Sequence, residues 1–88
     1  MTHDKDLDNL EFPVLVHFKV IGEVSENIRT HLEIALFELG INESLEPGRV
    51  SAAGKYMTFN LSLTVDSRET LTRIDQRLRD VEGVKMVL

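Results

Sequence analysis

Residues 56–65 read YMTFNLSLTV, and every second side chain in this run is apolar. Because side chains in a strand point alternately to its two faces, the run predicts a β-strand with one apolar and one polar face. Such a strand belongs in a sheet that is covered on one side and open to solvent on the other. The apolar set is Met57, Phe59, Leu61, Leu63 and Val65, and the polar set is Tyr56, Thr58, Asn60, Ser62 and Thr64.

The chain before this run predicts one strand and one helix. Residues 14–20 alternate in the same way, and we expect that first strand to end at Gly22. Ser25 is a favourable N-cap for the helix that follows, and Gly40 is expected to stop it. The buried stripe of this helix is predicted to be Ile28, Leu32, Ala35, Leu36 and Leu39.

A hairpin and a second helix surround the central run. Residues 49–51 predict a short strand whose start is left open between Leu45 and Arg49, and a turn over 52–55 joins it to the run at 56–65. Ser67 is predicted to cap the second helix, Gly83 to stop it, and residues 84–88 to form the last strand. The buried stripe of the second helix is predicted to be Leu71, Ile74, Leu78 and Val81.

The order of these elements, β-α-β-β-α-β, predicts a ferredoxin-like α/β plait of the α+β class. Right-handed crossovers and the hairpin favour a four-stranded antiparallel sheet in the order 4-1-3-2, with both helices on one face. We expect a single domain over residues 12–88, preceded by a polar N-terminal arm over residues 1–11.

Composition excludes several classes of function. The chain of 88 residues has no cysteine, which removes disulfides, thiolate catalysis and Cys-based zinc sites, and favours a reducing cytoplasm. A net charge of −5 argues against DNA binding, which needs a basic surface. The N-terminus does not resemble a signal peptide and no run is long enough to span a membrane. His3, His17 and His31 share no ligand spacing, so we expect neither a metal nor a cofactor.

The open face is the first candidate for function. Its mixture of bases, hydroxyls and a few apolar groups suits an anionic or amphipathic small ligand or a protein partner; the alternative is an ordinary solvated face. The hairpin lacks a Walker A pattern, but glycine and lysine in a turn can present amides and an ammonium to an anion. The predicted face comprises Leu15, His17, Lys19, Arg49, Ser51, Tyr56, Thr58, Asn60, Lys85 and Val87.

Ile34, Phe37 and Ile41 are expected on the outer side of the first helix, where they form a candidate partner surface. The alternative is local cover by neighbouring apolar residues. The candidates for that cover are Leu7, Leu10, Phe12 and Leu45.

Other functions find less support. Tyr56 is the one aromatic residue predicted on the open face, so single-stranded RNA binding would be weak. His17 and Ser62 are expected to share one surface, but catalysis needs more than this pair. We therefore predict a protein that is not an enzyme; the alternative is a small acyl- or phosphoryl-transfer enzyme with its site at the hairpin.

Four segments together resemble the small bacterial YbeD-like proteins: LEFP at 10–13, FKVIG at 18–22, S-x-x-GKY at 51–56 and VKMVL at 84–88. The resemblance implies a fold similar to the ACT domains that regulate amino-acid enzymes. ACT domains commonly bind an effector near a glycine of the first βα loop, often across a subunit interface. Gly22 holds the comparable position, although the Asp-x-Pro-Gly type of loop is absent.

Together these patterns predict a non-enzymatic, ACT-like binding or regulatory module that uses its open sheet face and the hairpin at 51–56. The apolar edge strand at 84–88 offers main-chain groups for sheet extension, so we also expect a homodimer. The candidate ligand-binding residues are Lys19, Gly22, Ser51, Gly54, Lys55 and Tyr56.

Overall fold

The computed structural model describes residues 10–88, so most of the predicted arm, including Leu7 and His3, lies outside the described residues. The described chain folds as four strands and two helices in the predicted order. They are β1 (Val14–Glu23), α1 (Ile28–Glu38), β2 (Glu46–Val50), β3 (Tyr56–Val65), α2 (Arg68–Arg79) and β4 (Val84–Val87).

The strand predicted from the run at 56–65 is confirmed as β3, with the same bounds. Its apolar positions face the core: Phe59 and Leu61 are each 1% exposed, and Met57 packs partly buried against the same cluster. The intervening polar side chains from Asn60 to Thr64 are exposed. One strand thus carries a dry face and a wet face.

The sheet has the strand order β2-β3-β1-β4, which confirms the predicted 4-1-3-2 arrangement. β1 and β3 form its centre and pair antiparallel over their whole length, from Val14 opposite Val65 to Glu23 opposite Tyr56. The buried apolar residues of both helices join those of the sheet in one core. This is the α+β, ferredoxin-like fold.

The prediction that β1 ends at Gly22 is wrong, because the strand runs on to Glu23. Gly22 is buried within the sheet, between Met57 of β3 and Val84 of β4. A Cβ at this position would lie 3.1 Å from Ile28 Cγ1 and 3.3 Å from the Gly83 carbonyl oxygen. The glycine therefore permits close packing of α1 on the sheet instead of ending the strand.

The two helices begin differently. Ser67 caps α2 as predicted, since its Oγ accepts a hydrogen bond from the Thr70 amide at 3.1 Å. Ser25 does not cap α1: the N-cap is Asn27, which makes no side-chain capping hydrogen bond. Gly40, with φ of 77°, follows α1 in the left-handed conformation that suits a helix stop.

The outer strands correct two further predictions. β2 covers Glu46–Val50, so it begins within the range left open and ends one residue before the predicted Ser51. Its register with β3 shifts between Pro47 and Val50. Val87 was predicted on the open face but is 3% exposed in the core. It lies directly opposite the buried Val20, and directly opposed residues share a face of the sheet.

Candidate functional site

The open face of the sheet carries four polar side chains in two adjacent rows, which we call the central cluster: His17, Lys19, Asn60 and Ser62. His17 lies opposite Ser62 and Lys19 lies opposite Asn60 across β1 and β3. All four residues are exposed. Two residues along a strand separate the rows by about 7 Å, so one small ligand can reach both of them.

A short hydrogen bond orders one row of the central cluster. His17 Nδ1 lies 2.6 Å from Ser62 Oγ. If the serine donates, the imidazole carries its proton on Nε2 and offers that N–H to solvent; if Nδ1–H donates, the serine O–H is free to donate elsewhere. In either arrangement the pair retains a donor for a ligand.

The second row extends across three strands and contains charges of both signs. Asn60 lies between Lys19 on β1 and Glu46 on β2, and it is paired with both. Strands lie about 4.8 Å apart, so the cation and the carboxylate project from backbone positions about 10 Å apart on one face. An amide that can donate and accept lies between them.

The hairpin uses most of its own polar groups. Ser51 Oγ accepts hydrogen bonds from the amides of Lys55 and Tyr56, each at 3.1 Å. The Ser51 carbonyl accepts from the Gly54 amide at 2.8 Å. The Lys55 ammonium nitrogen lies 5.8 Å from the centroid of the Tyr56 ring. The hairpin therefore presents a cation and a phenol to solvent, and the amides of Gly54, Lys55 and Tyr56 are already bonded within it.

The six predicted ligand-binding residues do not form one site. The structure brings together Ser51, Gly54, Lys55 and Tyr56 in the hairpin. Lys19 lies four positions along β1 from Glu23, the residue opposite Tyr56, which corresponds to about 13 Å along the strand. Gly22 is buried beneath Ile28, with its backbone inside the sheet.

Two residues of the open face were missed. Glu46 was not predicted on this face, because the start of the second strand has no alternation to mark it. Leu88 was not among the residues predicted on this face, but its amide and carbonyl pair with Lys19, which places it opposite an open-face residue. The shared parity of His17 and Ser62 was the one signal in the sequence for their contact.

Two of the three residues of the predicted partner surface are exposed. Phe37 is 80% and Ile34 is 49% exposed, whereas Ile41 packs partly buried against the core. Leu45 is buried and Phe12 packs on the core, so neither covers Phe37. Leu10 lies against α2, where it shares a depression with Leu71.

Ion pairs on the helices are peripheral to the open face. Arg77 Nη2 lies 2.8 Å from Glu38 Oε1 and so links the two helices. Arg79 donates from Nε to Asp75 at 2.8 Å, and this hydrogen bond raises the pKa of Arg79 above its ordinary value. Within residues 10–88 there is no group of three or more side chains of the kind that holds a metal ion. None of the helices described is long and apolar enough to cross a membrane.

The fold is similar to that of ACT domains. The ACT domain from the GTP pyrophosphokinase of Chlorobium tepidum superposes with a TM-score of 0.63 at 22% identity, covering 84% of this chain and 94% of that one. A Helicobacter pylori protein, HP0495, superposes with a TM-score of 0.79 at 23% identity, covering 100% of this chain and 94% of its own. These likenesses define an ACT-like, ferredoxin-like domain.

The chain belongs to the DUF493 family of proteins of unknown function, whose model matches residues 8–88. A UPF0250 protein of Shewanella piezotolerans is 30% identical over 86 residues, which cover 97% of this chain and 98% of the relative. A UPF0250 protein of Shewanella oneidensis is 25% identical over 88 residues, covering all of both chains. These matches agree with the resemblance to YbeD-like proteins.

Proposed function

We propose that this protein is a non-enzymatic regulatory module that binds a small zwitterionic ligand of the amino-acid type on its open sheet face. The observation that carries the proposal is the row Lys19–Asn60–Glu46, which places a cation, an amide and a carboxylate side by side. The ACT-like fold supports a regulatory role, because ACT domains regulate amino-acid enzymes, but their common effector position lies near the first βα loop and not at this row.

The chemistry of the row suits such a ligand. The Lys19 ammonium and the outward donor of the His17–Ser62 pair would hold a carboxylate, since charge-assisted hydrogen bonds are the stronger class. The Glu46 carboxylate would hold an ammonium at the other end of the row. Both charged side chains are exposed, and within residues 10–88 no ion pair joins them, so each is available to a ligand.

A panel titration monitored by NMR tests this proposal. We expect at least one of the twenty standard amino acids to shift the amides of Lys19, Asn60 and Glu46 in the ¹⁵N-labelled protein. Lys19→Gln should weaken binding, whereas Lys85→Gln, at an exposed position on β4, should leave it unchanged. Shifts that instead centre on Lys55 and Tyr56 would move the site to the hairpin, and no shift with any amino acid would refute the proposal.

The His17–Ser62 hydrogen bond is the observation that favours a second candidate, a small acyl-transfer enzyme with its site in the central cluster instead of the hairpin. A serine hydroxyl bonded to an imidazole is the arrangement from which an activated nucleophile is built. Assay with p-nitrophenyl acetate separates the two functions: turnover that disappears in Ser62→Ala would support the enzyme. Turnover lost in Lys55→Ala or Tyr56→Ala would place an activity at the hairpin instead.

The homodimer remains a proposal of its own. β4 is an edge strand of the sheet, and an edge offers unpaired main-chain groups to a second copy. Sedimentation velocity at micromolar concentration should then show a dimer. A monomer at all concentrations would exclude dimerisation through β4.

A further inference from the structure

β1 is longer than the strand beside it, so part of its edge is unpaired within the described residues 10–88. β1 has ten residues and β4 has four. Lys19 and Leu88 exchange both main-chain hydrogen bonds, at 3.0 and 2.8 Å, and they are the last pair between the two strands. Because alternate residues of a strand bond to alternate sides, the amides and carbonyls of His17 and Leu15 point to the same side as those of Lys19. Among residues 10–88, no strand pairs with them.

Two depressions flank this unpaired edge, one on each face of the sheet. The depression on the helix side has a volume of about 440 Å³, and the one on the open side has a volume of about 470 Å³. Phe18 and Leu88 line both of them, so the two depressions meet where β4 ends. An added strand along β1 would therefore have space for side chains on both of its faces.

The two depressions differ in chemistry. The helix-side depression has a mostly apolar surface, from Leu10, Phe18, Leu71 and Leu88. Its polar lining comes from Arg68, Thr72 and the Asp75–Arg79 ion pair. The open-side depression is lined by the central cluster, which contributes the Lys19 ammonium, the Asn60 amide and the outward donor of the His17–Ser62 pair. One side suits an apolar residue and the other an acidic one.

We infer that the edge of β1 from Val14 to Phe18 binds an extended peptide segment of a partner protein, in line with β4. The segment alternates apolar and acidic residues. The residue opposite His17 is acidic and lies over the central cluster, and the residues opposite Val16 and Phe18 are apolar and enter the helix-side depression. Strand addition of this kind takes affinity from main-chain hydrogen bonds and specificity from alternate side-chain pockets.

Short synthetic peptides test the inference with the whole protein. The probe is acetyl-Val-Asp-Val-Asp-Val-amide, compared with the same peptide carrying lysine in place of both acids. The acidic peptide should bind roughly tenfold or more tightly, because like charges repel at the central cluster. It should shift the amides of Leu15, His17 and Lys19. N-methylation of the probe at its aspartates, which removes main-chain donors, should abolish binding to the unaltered protein.

A proline substitution in the protein tests whether the main chain of the β1 edge takes part in binding. Leu15→Pro removes an outward amide but leaves the hydrogen bonds of β1 to β3, since proline is tolerated where its missing N–H faces an edge. Leu15→Pro should lose the acidic peptide, and Leu15→Ala, which keeps the amide, should bind it as the unaltered protein does. Circular dichroism of both variants checks that they fold.

Equal binding of the acidic and lysine peptides, undiminished binding of the N-methylated peptide, or no binding at millimolar concentration would overturn the inference. The peptide experiments can fail while the proposed amino-acid binding holds, and the reverse is also true. An amino acid that binds the central cluster through Lys19 needs no main-chain amide of Leu15, so Leu15→Pro should leave that binding intact.

Discussion

The two faces of β3 contain alternate residues of one ten-residue strand, yet they serve different purposes. Phe59, Leu61 and Leu63 are buried under the helices, whereas Asn60 and Ser62 stand in solvent beside His17 and Lys19. Burial of an apolar side chain stabilises the fold, but a polar side chain in water contributes little to it. Stability is therefore expected to depend on one face and recognition on the other.

The largest expected effect is on the covered face. Phe59→Ala should lower the free energy of unfolding by about 3–5 kcal/mol, because it removes a ring that is 1% exposed from the middle of the core. Thr64→Ala, at an exposed position of the same strand, should change it by less than about 0.5 kcal/mol. Urea unfolding followed by circular dichroism measures both, and similar denaturation midpoints would contradict the assignment of faces.

A second comparison is between two neighbouring residues at the end of β1, the buried Gly22 and the exposed Glu23. Gly22→Ala should cost about 1–3 kcal/mol, since the new methyl group would crowd Ile28 and the Gly83 carbonyl. Glu23→Ala, at the adjacent exposed residue, should be close to neutral. If Gly22→Ala left the stability unchanged, α1 would not pack closely against this glycine. Thermal unfolding of the two variants against the parent provides the measurement.

The smallest effect concerns the helix caps that hold the covered face in place. Ser67→Ala should lower the free energy of unfolding by about 0.5–2 kcal/mol, because it removes the acceptor for the Thr70 amide. Ser25→Ala should cost less than about 0.5 kcal/mol, since Asn27 and not Ser25 is the N-cap of α1. Equal losses in chemical denaturation would show that Ser25 has a capping role after all.

The fold could be predicted because its strongest signals are local and periodic. β3 alternates over ten residues, and α2 has a serine cap, Glu69 in its first turn and Arg77 and Arg79 in its last. α1 lacks both an acidic first turn and a side-chain cap, so its start was misplaced at Ser25. Gly22 looked like a strand end, because a glycine required by packing and one required by a turn are identical in sequence.

The candidate site was harder to predict because it depends on register. The contact between His17 and Ser62 joins residues 45 positions apart, and the row through Glu46 requires the pairing of β2 with β3. The register of that pairing shifts between Pro47 and Val50, and no pattern in residues 46–50 marks the shift. For the same reason Val87 was assigned to the wrong face, and the unpaired edge of β1 was not foreseen.

Single-cysteine labelling tests the one-sided sheet most directly, because the chain contains no cysteine of its own. The four variants are Asn60→Cys, Leu61→Cys, Ser62→Cys and Leu63→Cys, each labelled with a thiol reagent under native conditions. We predict that Cys at 60 and 62 reacts nearly as fast as in urea, and that Cys at 61 and 63 reacts roughly a hundredfold or more slowly, since it must wait for opening of the core. Equal protection at all four positions would contradict the open face and, with it, both proposed binding sites.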